Sequence, residues 1–170
     1  MHAAKTCHAL VMSGGGSNGA WEAGVLWGLV HYGNPEEYKW DVVSGVSAGS
    51  INSAAIGVFA PGNEVNGTET LVHLWGNLKT EQIYKEWPFG TFADLMFMPS
   101  LYDTRPGAET FMKILDRYPE GFKRNVSVSA VDANTGKRVV MTDETVPFKD
   151  FHLAVLGSAS VPGAFPPTRL

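Results

Sequence analysis

The apolar positions change their period along the chain, and those changes mark out the elements. His8 to Ser13, "HALVMS", is a short apolar run; "GGGSNG" follows it, and then a strongly apolar segment from Ala20 to Tyr32. That order predicts strand, tight loop and helix. Glu22 and His31 are the evident polar exceptions in the apolar segment, so the helix is expected to be buried rather than to lie on the surface. Gly24 and Gly28 lie four apart and are expected to let another backbone approach closely. The segment is well short of the about 20 residues that a bilayer span requires.

After polar "GNPEEYK", the run "WDVVSGV" reads as a second strand, and Gly49 to about Phe59 as a second helix rich in Ala, Ser and Ile. Two strand–loop–helix units in succession predict a parallel sheet with crossover helices. "APGNEVNGTET" reads as a loop, and Leu71 to Leu78 as a helix from the spacing of Leu71, Leu74, Trp75 and Leu78. Trp87 to Tyr102 is apolar and aromatic but broken by prolines and a glycine, which predicts a core-covering loop or an apolar lip over a substrate site. Pro106 opens a helix whose Phe111, Ile114, Leu115 and Tyr118 form one stripe. "NVSVSAV" and "RVVMT", joined by "DANTGK", read as a hairpin, and Phe148 to Gly157 as a last helix before the irregular "SASVPGAFPPTRL". No internal repeat or linker interrupts the chain, so residues 1–170 are expected to form a single domain.

Composition narrows the classes. With 44% hydrophobic and 18% charged residues over 170 positions, the chain can bury a continuous core. The formal charge of −4 disfavours nucleic-acid binding, which needs a concentrated basic surface. The densest basic stretch, Lys123-Arg124, reads as an exposed turn. Cys7 has no cysteine partner and no Cys or His neighbours at metal-ligand spacing, so a reducing compartment is the default. The N-terminal stretch carries too short an apolar run for a signal peptide, which points to a cytoplasmic location. The sequons at Asn66 and Asn125 matter only in a secreted protein.

Two stretches carry chemistry. Gly45-Val46-Ser47-Ala48-Gly49 follows an apolar strand and opens a helix. A serine hydroxyl is a poor nucleophile unless it is held exposed, given a base and set beside donors for the developing oxyanion. In a strand-to-helix elbow, glycines two residues before and after let a strained serine stand clear, and the helix N-terminus aims its N–H groups at the reaction centre. An ordinary turn in a Gly- and Ser-rich region is the competing account of Ser47; the strand–helix context favours the nucleophile.

Gly14-Gly15-Gly16-Ser17-Asn18-Gly19 is the second stretch. Consecutive glycines let backbone N–H groups converge on a phosphate or on a tetrahedral oxyanion. The same letters satisfy the dinucleotide-binding pattern GxGxxG, which needs an acidic residue at the end of the second strand. Asp41 opens that strand instead, and the elbow occupies its end.

"GGGSNGAWEAGVL", then "GVSAG" about thirty residues on, then "SASVPGAFPP" after a late helix, together resemble the patatin-like phospholipase family, from His8 to Pro167. The resemblance implies an α/β fold, a three-layer α/β/α domain with a mostly parallel central sheet. It implies a Ser-Asp dyad that cleaves lipid acyl esters through an acyl-serine, with no catalytic histidine, no metal and no cofactor. By similarity Ser47 is the nucleophile and Gly14, Gly15 and Gly16 lie in the oxyanion-hole loop, while Gly19, Gly45 and Gly49 complete the motifs. The implied partner is a lipid or phospholipid substrate, with peripheral membrane association.

Two departures stand out. The family commonly has Arg or Lys where this chain has Asn18, which leaves anion stabilisation to backbone donors. The family's dyad aspartate sits in Asp-Gly-Gly or Asp-Gly-Ala shortly after the FPP segment, and none of the seven aspartates here precedes a glycine. The domain is therefore expected to be C-terminally incomplete, with its base outside the chain. Asp132 and Asp143 suit turn chemistry, and His73 and His152 fall on predicted helices. Asp150 and His152, two apart, would not share a helix face. A catalytically inactive lipid-binding or regulatory domain and an acyltransferase remain open alternatives.

Overall fold

The computed structural model describes residues 6–88, 98 and 100–170. Strand β1 (Ala9–Met12) leads through the glycine loop into helix α1 (Gly19–Tyr32) and then strand β2 (Val42–Val46). Helices α2 (Ala48–Gly57) and α3 (Glu64–Asn77) follow, then a short antiparallel pair of two-residue strands, β3 (Lys85–Glu86) and β4 (Tyr102–Asp103). Helix α4 (Arg105–Leu115), the strand pair β5 (Asn125–Val131) and β6 (Arg138–Thr142), and helix α5 (Phe151–Ala159) complete the order.

The main sheet runs β1-β2-β5-β6, with β1, β2 and β5 parallel and β6 antiparallel at one edge. Successive parallel strands step across it in one direction. Because crossovers are right-handed, steps in one direction put their connecting helices on one face. The burial pattern agrees with this. Met12, Val43, Val126, Val128 and Met141 point into a core shared with Ile56 of α2, Leu71 of α3, Phe111 of α4 and Phe151 of α5. On the opposite face Val11 is 75% exposed and Val46 and Val140 are also exposed. The sheet is thus mostly parallel in a mixed α/β fold, and the helices that share this core cover one of its two faces.

Several expectations need correction. Helix α1 buries Ala23, Leu26 and Val30 but exposes Trp21 (72%) and Tyr32 (82%), so it is a one-sided helix despite its apolar sequence. A Cβ built on Gly24 or Gly28 meets nothing within 4 Å among the described residues, so neither glycine serves a close approach. Helix α3 begins at Glu64, not Leu71. Its first half reads as loop because it buries polar groups: Glu64 is 6% exposed and Thr68 fully buried, with Thr68 Oγ1 donating to the Glu64 carbonyl.

The partner of Glu64 overturns the reading of Lys123-Arg124 as an exposed turn. Arg124 is 5% exposed and donates from Nη1 to Glu64 Oε1 at 3.0 Å and to the Trp40 carbonyl at 2.7 Å, and from Nε to the Phe59 carbonyl. Burial pulls its guanidinium below the ordinary arginine value, opposed by the charge of Glu64. This pair ties the start of β5 to α3 and to the end of α2. Trp87–Tyr102, expected as a covering loop or lip, lies largely outside the described residues, which leave out 89–97 and 99.

Candidate active site

Ser47 stands where β2 gives way to α2, at φ 55° and ψ −122°, and is the one non-glycine residue with positive φ among the described residues. That backbone region is sparsely populated and costs on the order of 1–3 kcal/mol, so surrounding contacts must hold it. Gly45 and Gly49 make the bend possible. A Cβ on Gly45 would overlap the Gly49 carbonyl and lie 2.5 Å from Ser53 Oγ. One on Gly49 would overlap the Met12 carbonyl oxygen and lie 2.6 Å from that of Ser13. The start of α2 therefore packs backbone to backbone against the end of β1.

That packing brings the glycine loop to Ser47. Met12 pairs with Gly45 in the sheet, so both loops leave from the carboxyl ends of adjacent parallel strands. A Cβ on Gly14 would lie 3.0 Å from Ser47 Cβ and 3.7 Å from Ser47 Oγ. Gly15 precedes a short 3-10 turn, Gly16–Asn18, in which Gly16 has φ 57° and the Asn18 N–H donates to the Gly15 carbonyl. A Cβ on Gly19 would overlap the ring of Trp75 and lie 3.0 Å from Ala48 Cβ. Gly14, Gly19, Gly45, Ser47 and Gly49 thus converge at one point. Helix α2 begins there, and the positive end of its dipole favours negative charge beside Ser47.

Other side chains brace the two loops, and sequence reasoning missed their roles. Glu22 accepts the Ser13 N–H at 2.8 Å through one carboxylate oxygen and Asn52 Nδ2 at 2.9 Å through the other. Asn52, fully buried on α2, also donates to the Gly19 carbonyl and accepts Trp75 Nε1–H at 2.7 Å. A carboxylate inside an apolar helix was the available signal for Glu22, since such a group needs partners. Ser50 Oγ donates to the Ser47 carbonyl at 2.6 Å, and Ser158 Oγ accepts the Ser47 N–H at 2.9 Å.

No described carboxylate or imidazole hydrogen-bonds Ser47 Oγ. Asp41 accepts the His8 N–H at the amino ends of β1 and β2, opposite the glycine loop, which removes the acid that a dinucleotide site needs. Asp132 caps its own turn, accepting the Asn134 N–H and Thr135 Oγ1, bonds that hold its carboxyl below the usual value. Asp143 accepts the Val126 N–H. His152 Nδ1 pairs with the Lys149 carbonyl, and His73 lines a cleft of about 470 Å³ between α2, α3 and α4 that includes none of the candidate site residues. Among the described residues no group of three or more His, Cys, Asp or Glu could hold a metal ion, and no helix is long and apolar enough to cross a membrane.

The family model for patatin-like phospholipase matches residues 10–170. The chain belongs to that family. Similar solved structures include VipD from Legionella pneumophila, at 14% identity and TM-score 0.52, covering 99% of this chain and 45% of that one. The type III effector protein ExoU matches at 18% identity and TM-score 0.50, covering 94% of this chain and 40% of that one. The patatin-like chain therefore spans less than half the length of either, and at these identities the likeness is one of fold. No curated protein sequence matches this chain.

Proposed function

We propose that this patatin-like chain carries the nucleophile half of a lipid acyl hydrolase. Family membership supports a lipid hydrolase in general. The observation that favours Ser47 as nucleophile is its positive-φ elbow, with Gly14 packed 3.7 Å, Cβ position to Oγ, from the hydroxyl. In this reading Ser47 Oγ attacks the ester carbonyl of a lipid and loses its proton to a carboxylate base. The oxyanion forms against backbone N–H groups of the Gly14–Gly16 loop and the α2 N-terminus. The alcohol leaves with that proton, and water then attacks the acyl-serine, releasing the fatty acid and restoring Ser47.

Among the described residues no carboxylate or imidazole hydrogen-bonds Ser47 Oγ, and removing one member of a cooperating pair commonly removes most of the rate. Turnover by this chain alone is therefore expected to be slow. The deciding measurement is hydrolysis of a p-nitrophenyl ester and of a lysophospholipid by wild type and Ser47→Ala. Hydrolysis that disappears with Ser47→Ala supports the reading; equal hydrolysis by both overturns it.

A second reading is a lipid-binding domain without turnover, favoured by the same observation that no carboxylate or imidazole among the described residues hydrogen-bonds Ser47 Oγ. It predicts cosedimentation with phospholipid vesicles in the absence of any acyl-serine by intact mass. Trapping the acyl-enzyme would exclude it, and transfer of the acyl group to an added alcohol would identify an acyltransferase instead.

A further inference from the structure

We infer that Ser158 is a positioning residue for Ser47: it clamps the nucleophile's own peptide to the end of β5 and so holds the elbow in its strained conformation. The inference rests on the reading of Ser47 as nucleophile. Ser158 lies near the end of α5, in the "SAS" stretch that no step of the proposed chemistry uses. Its hydroxyl works in both directions. Oγ accepts the Ser47 N–H at 2.9 Å and donates to the Ser129 carbonyl at 2.6 Å. Ser129 is the residue that pairs with Val46 in the sheet. One oxygen therefore spans the carboxyl ends of β2 and β5 at the point where the chain bends.

Two physical points make this more than a packing contact. A residue at φ 55° persists only while its surroundings over-determine it. Here the two polar groups of Ser47's backbone are both held by serine hydroxyls, the N–H by Ser158 and the C=O by Ser50 at 2.6 Å, from two different helices. A hydroxyl is also one of the few small groups that can accept and donate at once. An apolar side chain at 158 leaves a partly buried N–H and a carbonyl without partners, and the elbow is then free to relax toward an ordinary turn.

The bond has a chemical consequence as well. With its own N–H engaged by Ser158, Ser47 cannot turn that donor toward the oxyanion. The donors left nearby are those of the glycine loop and the residues after Ser47. Ser158 thus fixes which amides can face the reacting carbonyl.

The test compares Ser158→Thr with Ser158→Val, which are alike in shape and differ by the hydroxyl, with Val155→Ala as a packing control on the same helix. Two readouts are taken: the rate at which a fluorophosphonate labels Ser47, by intact mass with Ser47→Ala as blank, and hydrogen exchange at the Ser47 amide by NMR. The expected result is labelling about tenfold slower in Ser158→Val than in Ser158→Thr, the factor one ordinary hydrogen bond is worth. Exchange at the Ser47 amide should be at least tenfold faster in Ser158→Val, while Val155→Ala labels at the wild-type rate per folded molecule. Equal labelling and equal exchange for the Thr and Val variants overturn the inference, as does an equal loss in Val155→Ala. If wild type labels no faster than Ser47→Ala, the nucleophile reading fails, and amide exchange in the Thr and Val pair still decides whether Ser158 holds the elbow.

Discussion

Gly14 and Ser47 are in contact across two loops: a methyl on the glycine would sit 3.0 Å from Ser47 Cβ and 3.7 Å from its Oγ. Such a methyl fits only if loop and serine separate by a few tenths of an ångström. Displacements of that kind at a reaction centre are costly because donors must meet the oxyanion at hydrogen-bond distance. Gly14→Ala is expected to slow fluorophosphonate labelling of Ser47 about tenfold or more, with the thermal midpoint little changed. Wild-type labelling in this variant would mean that the glycine loop takes no part.

Gly49 gives the opposite balance. Alanine favours a helix over glycine by up to about 1 kcal/mol. The added Cβ would overlap the Met12 carbonyl oxygen and lie 2.6 Å from that of Ser13, both backbone atoms with little freedom to move. Overpacking of this kind costs about 1–3 kcal/mol or more, so the clash wins. Gly49→Ala is expected to lower stability by about 2 kcal/mol in urea unfolding, and an unchanged midpoint would contradict the close packing of β1 on α2.

The Glu64–Arg124 pair predicts an asymmetry between single and double variants. Side-chain exposure is 7% for Glu64 and 0% for Arg124 at 3.0 Å separation. Removing one partner leaves a buried charge, which costs about 3–5 kcal/mol. Replacing both with apolar groups of similar volume is much less costly. Arg124→Met should be strongly destabilised, and Glu64→Leu with Arg124→Met should recover much of the loss in a double-mutant cycle. Additive losses would show that the two residues act independently.

Asp103 sets an acid-side dependence of stability. Its side chain is 1% exposed and accepts Arg105 Nε at 2.9 Å and Nη2 at 2.7 Å. Burial pushes the carboxyl up, but the hydrogen bonds from Arg105 and the charges of Arg105 and Lys85 outweigh it, and the net shift is below the ordinary 3.8. A group with a lowered folded value stabilises fully above its unfolded value and loses that contribution as pH falls through the folded one. The window lies below about pH 4. Asp103→Asn should be less stable than wild type at pH 7, and the two should converge as pH falls toward 2. A gap that stays constant across that range would refute the assignment.

Much of the fold was legible because its signals are local. The strand–glycine–helix order of β1 and α1, the elbow before α2, and the β5–β6 hairpin all come from periodicity and turn residues close in sequence. What misled was burial. Helix α1 is apolar all round, yet its Trp21 face is open, because nothing in a helix's own sequence says how many neighbours will pack on it. The first half of α3 looked like loop because Glu64 and Thr68 are polar, and their partners lie far along the chain, as with Glu64 and Arg124. The site followed the same division. Ser47 and the glycines announce themselves by spacing, whereas Ser158 and Ser47 meet across 111 positions.

By itself the sequence determined the kinds of local backbone this chain can adopt: where glycine lets two strand ends turn sharply, and where a serine can stand between them. Tertiary structure alone decided which turns meet. The in-register pairing of Met12 with Gly45 and of Val46 with Ser129 brings the glycine loop, the elbow and the α5 hydroxyl together at the carboxyl ends of the parallel strands. The physical reason is that turn chemistry is written in neighbouring residues. Convergence instead depends on long-range strand pairing and core burial, which no short stretch of sequence contains.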